Sequence, residues 1–142
     1  MALSLAPHAA SALEKQVPTV PGLSEAIQAR DIPLSVVTRG GGLVFVSGLP
    51  PIDPATGAMV EGDIRVQTRQ VLENVAAALA AAGSSVEKVL KVTVYCTNTG
   101  YFEQVNAVYR EMFAAAPPAR TFVAVGSWPF AADIEIEAIA LA

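Results

Sequence analysis

Arg120 stands at the head of "RTFVAV", a β-favouring apolar run that follows the helix-breaking pair Pro117-Pro118. A guanidinium there has two uses. It can pair with a surface carboxylate for less than about 1 kcal/mol. Alternatively, its planar fork can hold a ligand carboxylate through two parallel hydrogen bonds. Strand alternation puts Arg120 on one face with Phe122 and Ala124, beside an aromatic ring. Further on, "IEIEAIA" sets Ile134, Ile136, Ala138 and Ala140 on one face and Glu135, Glu137, Ile139 and Leu141 on the other. Two carboxylates about 7 Å apart can act as an acid/base pair or can line a solvated face. After Asp133 they are the only charges of a very apolar segment, and partial burial would raise a carboxyl pKa toward neutrality.

Other candidates are quieter. Asn106 lies close to an apolar helical stripe, as a core amide or a cross-subunit contact. Ser47-Gly48 closes a strand, and the glycine either admits a ligand to the backbone or begins a loop. Cys96, on an apolar strand face without a basic neighbour, reads as an inert buried thiol. The single histidine, His8, falls in the N-terminal stretch. The pattern therefore offers no Ser-His-Asp or Cys-His pair and no His/Cys metal cluster. Chemistry would fall to carboxylates, arginine, hydroxyls, backbone groups and water.

These residues need elements to hold them. Residues 1–32 read as an N-terminal arm, with a possible short helix at "LSEAIQARD", and 33–142 as the folded core. "LSVVTRGGGLVFVSG" predicts two strands joined by a Gly40-Gly41-Gly42 turn. "LPPIDPATGAMVEGD" is a turn-rich loop. A long helix follows, capped by Asp63, with Ile64, Val71, Leu72, Val75 and Leu79 as its buried stripe and Gly83 as its stop. "EKVLKVTVYCTN" is a strand, with Leu90, Val92, Val94 and Cys96 expected inside. Asn98 or Thr99 caps a second helix, with Phe102, Val105, Tyr109, Met112 and Phe113 at helical spacing. Two strands close the chain, separated by Trp128-Pro129-Phe130. The order ββ(β)-α-β-α-β-β implies a mixed sheet with helices on one side, an α+β domain. A tight hairpin between the last two strands would pair Arg120 near residue 140, about 17 Å along the strand from Glu135. A site shared by the two therefore needs an intervening strand or a neighbouring subunit. Finding them far apart, with no cleft between, would count against the assignment.

With 142 residues, 53 % hydrophobic and 15 % charged, the chain suits one unusually apolar domain. No apolar stretch reaches the roughly 18 to 20 residues of a membrane span, so the excess points to surface buried between subunits. A formal charge of −4 argues against nucleic-acid binding. One cysteine suits a reducing compartment, and cytoplasmic localisation is the expectation. The N-terminal "MALSLAPHAASALEK" lacks a positive n-region, so no signal peptide is expected.

Taken in order, "GLVFVSGLPPIDPATG", "QTRQVLENVAAALAAAG", "VLKVTVY", "FEQVNAVYREMF", "PPARTFVAV" and "IEIEAIA" resemble the YjgF/RidA family over about residues 33–142. Its members include enamine/imine deaminases, under older labels L-PSP endoribonucleases or translation inhibitors. The resemblance implies a chorismate-mutase-like α+β fold with two helices on one face of the sheet. It also implies a homotrimer with clefts between subunits and no cofactor or metal. It matches Arg120 to the arginine that clamps the carboxylate of a 2-imino or 2-enamino acid. The family spacing of fifteen residues selects Glu135 over Glu137 as the holder of the hydrolytic water. Asn106, Ser47, Gly48 and Phe122 match cleft positions. Against the family's "GPYSQ" and "SGQ", this chain has Leu34, Val36 and Leu49, and Phe122 replaces a small residue or cysteine. All four changes are toward apolar or bulkier character. The implied activity is hydrolysis of imino acids to 2-keto acids and ammonia, with a more hydrophobic substrate than usual. A non-catalytic trimeric metabolite-binding protein is the alternative, and a ribonuclease the least favoured.

Overall fold

The hairpin over Val37–Gly40 (β1) and Leu43–Leu49 (β2) forms because Gly41 and Gly42 both adopt positive φ, 61° and 79°, as the tightest two-residue turn requires. The computed structural model describes residues 13–142; His8 lies outside them. Five strands form one sheet in the order β1-β2-β5-β3-β4, where β3 is Val89–Cys96, β4 is Ala119–Ala124 and β5 is Ile134–Leu141. All pairings are antiparallel except β3 with β4. The last two strands are not a hairpin: β3 lies between them.

Among the described residues three helices accompany the sheet: α1 (Leu23–Ala29), α2 (Ile64–Ala81) and α3 (Phe102–Met112). Asp63 caps α2 by accepting from the Arg65 and Val66 amides. The α2 stripe of Ile64, Val71, Leu72, Val75 and Leu79 is buried. It packs with Val44, Val46, Val92, Val94, Ile134 and Ile136 of the sheet in one core. Asn98 caps a 3-10 turn, Thr99–Tyr101, that leads into α3, where Val105, Tyr109 and Phe113 are buried. Phe102, expected in that stripe, is exposed instead.

One strand prediction needs correction. Leu90 points outward at 47 % exposure, because a register shift between Val89 and Lys91 puts Val89 in the core instead. The short helix raised for "LSEAIQARD" forms as α1, and with Val20 its Leu23, Ala26 and Ile27 join the core. The described part of the expected N-terminal arm is thus packed on the domain. Gly22 lets it sit close: a Cβ there would overlap the Pro54 carbonyl. Arg30 completes the clamp by donating to the Ala26 and Gly57 carbonyls at 2.8 and 2.7 Å.

Candidate active site

A β-bulge shapes the first half of the site. Val46 pairs with Ala138 and Leu49 with Ile136, so Ser47 and Gly48 together stand opposite Glu137. The bulge brings Gly48 against Glu135, whose carboxylate a Cβ at Gly48 would overlap. It also turns Leu49 into the core at 2 % exposure, away from either cavity described below. The Ser47 hydroxyl donates to the Ser35 carbonyl at 2.6 Å and lies in a separate, smaller hollow beside Lys91, Thr93 and Glu137.

Glu135 opens on a cavity of about 610 Å³ with Leu34, Gly48, Trp128 and Phe130 in its wall. The rest of the wall is chiefly apolar side chains of the α1 region and Pro50, with Arg30 its one cation. Burial, and then the neighbouring Glu137 charge, raise the Glu135 carboxyl above the ordinary glutamate range. Glu137 is occupied: the Tyr95 hydroxyl donates to it at 2.9 Å. That hydrogen bond, followed by burial, raises the Tyr95 phenol pKa. Tyr95 in turn meets Trp128 edge-on, with ring centroids 6.3 Å apart. Among the described residues Glu135 has no hydrogen-bond donor, so of the two carboxylates it is the one left free to face a ligand.

The second half lies elsewhere. Arg120 pairs with Val92 on the helix-covered face, and its Cζ sits 4.8 Å from the Tyr109 ring centroid and 5.6 Å from that of Phe102. No carboxylate among the described residues pairs with it. Its cavity, of about 600 Å³, also has Asn106, Tyr109 and Pro118 in its wall. Phe122 stacks edge-on with Phe102 at 5.1 Å, on the same face. Burial pushes the Tyr109 phenol up to about 12 despite the nearby Arg120 charge. Cys96 is fully buried, and burial raises its thiol as well, as suits an inert group.

Arg120 and Glu135 therefore do not meet within one chain. Arg120 is level with Val92 and Ala138, whereas Glu135 pairs with Tyr95. They are two strands apart, about 10 Å, and three residues apart along the strand, another 10 Å or so. Their side chains leave opposite faces of the sheet and line separate cavities. This separation, with no common cleft in one chain, counts against the Arg120–Glu135 site, and a site shared by the two would need a neighbouring subunit. Trp128, Phe130, Arg30 and Tyr109 also line these cavities, beyond the residues expected there from sequence. The "WPF" triplet, which holds the only tryptophan, was the available signal.

Buried polar atoms without partners are rare in native proteins. Among the described residues the Asn106 Oδ1, the Tyr109 hydroxyl and the Trp128 Nε1 are three such atoms. Each belongs to a residue lining one of these two cavities.

Residues 24–142 match the family model described as endoribonuclease L-PSP. The chain belongs to the YjgF/RidA family. A RutC family protein of Pyrococcus horikoshii is 50 % identical over 108 residues, which are 76 % of this chain and 86 % of that protein. A Salmonella typhimurium protein named 2-iminobutanoate/2-iminopropanoate deaminase is 45 % identical over 104 residues, 71 % of this chain and 80 % of that protein. Among solved structures, a protein of unknown function of the conserved Rid family from Yersinia pestis superposes with a TM-score of 0.83. Its identity is 39 %, covering 91 % of this chain and all of that one. The α+β fold of the family is thus the fold found, with α1 as a third helix beside the expected two.

Proposed function

We propose that this protein hydrolyses reactive 2-imino or 2-enamino acids to 2-keto acids and ammonia. The two half-sites would meet between copies of a homotrimer. Glu135 is the observation that carries this reading: a half-buried carboxylate of raised pKa, free of donors, pressed against a glycine in an apolar cavity. The relative named as an imine deaminase supports it.

In this reading the Arg120 guanidinium of a neighbouring copy holds the substrate carboxylate by two hydrogen bonds, which fixes C2 near Glu135. Glu135 takes a proton from water as its oxygen bonds to C2 of the iminium, giving a tetrahedral carbinolamine. The same proton then passes to the nitrogen. Ammonia leaves with the C–N electron pair while the freed Glu135 carboxylate takes the hydroxyl proton. The C2 carbonyl forms, and the carboxylate returns its proton to solvent. A carboxyl with raised pKa serves both transfers near neutral pH. Imine hydrolysis has a modest barrier in water, so positioning and one proton shuttle are adequate chemistry.

The mainly apolar wall of the Glu135 cavity favours a second reading, a trimeric protein that binds a small carboxylate without transforming it. The formal charge of −4 weighs against a ribonuclease. The test is to generate imines from several amino acids with an amino-acid oxidase and follow their decay with and without the protein. Acceleration that is lost in Arg120→Ala and Glu135→Gln, and less affected in Glu137→Gln, is the expected result. Unchanged decay for every imine tried leaves the binding reading.

A further inference from the structure

Trp128 and Phe130 do something in this fold that a connecting loop does not require. They sit between two strands, yet both turn into the Glu135 cavity, where Leu34 and Ile32 also present apolar surface. The turn is held in place. The Asp133 carboxylate accepts from Gln67 Nε2 at 3.1 Å and from the Thr97 hydroxyl at 2.9 Å, and its amide donates to Gln67 Oε1 at 2.8 Å. Gln67 itself is buried. Tyr95 braces the indole edge-on. The indole Nε1 is buried and without an acceptor, so the ring is positioned for its apolar surface rather than for a hydrogen bond within the chain. On the other side, Arg30 in the cavity wall is tied to two main-chain carbonyls.

On a single copy, a cavity of about 610 Å³ walled this way is far larger than a methyl or ethyl side chain needs. A small ligand would leave most of it occupied by poorly bonded water, and displacing that water with an apolar group favours binding. We infer that Trp128, Phe130 and Leu34 form a side-chain pocket selecting 2-imino acids, and their 2-keto and 2-hydroxy counterparts, that carry an aromatic ring. The inference rests on the proposed imino acid site, but its main test does not require turnover. In an apolar pocket each added methylene contributes roughly a 10-fold preference or more, so a benzyl side chain should be favoured over a methyl one by at least about 10-fold.

Trp128, the only tryptophan, reports binding directly. Its fluorescence in the full-length protein would be titrated with phenyllactate and with lactate, stable acids whose tetrahedral C2 imitates the hydrated adduct. The expected result is phenyllactate binding at least about 10-fold tighter. That ratio should fall several-fold in Phe130→Ala, which keeps the reporter, and in Leu34→Ala if the first variant proves unstable. Equal or weaker binding of phenyllactate overturns the inference. The oxidase-coupled assay, run with phenylalanine and with alanine, separates the two claims. Preference for phenyllactate without decay of either imine removes the deaminase reading and keeps the pocket. Decay of the alanine-derived imine as fast as the phenylalanine-derived one, with no binding preference, removes the pocket and keeps the deaminase.

Discussion

Gly48 and Glu135 are coupled by contact. A methyl group at Gly48 would strike the end of the Glu135 side chain rather than any backbone atom. The fold can accommodate that by rotating the carboxylate, but the proposed chemistry cannot. Gly48→Ala should therefore lower the deamination rate by as much as about 100-fold with little change in melting temperature; activity assays beside thermal melts check both parts. The raised Glu135 pKa has its own consequence. The folded state binds the Glu135 proton more tightly than the unfolded chain does, so its stability is highest below the ordinary glutamate pKa and falls as pH rises through the folded value. Glu135→Gln removes that loss. The variant should melt at a higher temperature than the wild type at neutral pH, the difference disappearing in acid, while its deamination rate collapses. A wild type more stable than Glu135→Gln at pH 7 would contradict the raised pKa.

The elements that hold these groups depend on a few buried polar side chains. Gln67, on α2, links the Gly62 carbonyl, the Asp133 amide and the Asp133 carboxylate. Through them it fixes the turn that carries Trp128. Gln67→Ala leaves the part-buried Asp133 amide and carboxylate without these partners, which costs about 1 to 3 kcal/mol. The denaturant midpoint should fall at constant slope, and the phenyllactate preference should fall with it. Asn74 plays a similar part for the loop after β2, donating to the Pro50 and Ile52 carbonyls. Much of this architecture was legible in the residues because it is local. The Gly41-Gly42 turn, the Asp63 cap, the α2 stripe and the alternation of β5 all depend on near neighbours. The bulge at Ser47-Gly48, the outward turn of Leu90 and the insertion of β3 between β4 and β5 depend on pairing between distant segments. Alternation could show that Glu135 and Glu137 share a face. Only the sheet order shows that Arg120 leaves the opposite one, and only the folded chain brings "WPF" to the wall of the cavity.

At the scale of the molecule, the described residues leave large apolar side chains exposed. Phe45, Val123 and Leu141 lie on the sheet face that carries no helices, with exposures of 39 to 48 %. Together with the separated half-sites, this face fits an assembly in which each site takes Arg120 from one copy and Glu135 from the next. Arg120→Ala and Glu135→Gln should each be inactive alone. Refolded together in equal amounts, they should recover about a quarter of the wild-type rate, the chance that one heterologous interface carries both intact residues. Sedimentation should show three chains per particle in every sample. No recovery from correctly sized mixed trimers would rule out a site shared across the interface.

The two edges of the sheet differ. At the β1 edge, Gln16 and Arg39 exchange both backbone hydrogen bonds, at 2.8 and 2.9 Å. Among the described residues nothing pairs with the outer edge of β4, whose side chains are largely exposed. Among the described residues an unassembled copy thus offers one wholly unpaired edge for strand addition. Fibre growth by that route needs a free edge at each end of the sheet, so two stray copies joined through β4 would form a closed pair rather than the start of a filament.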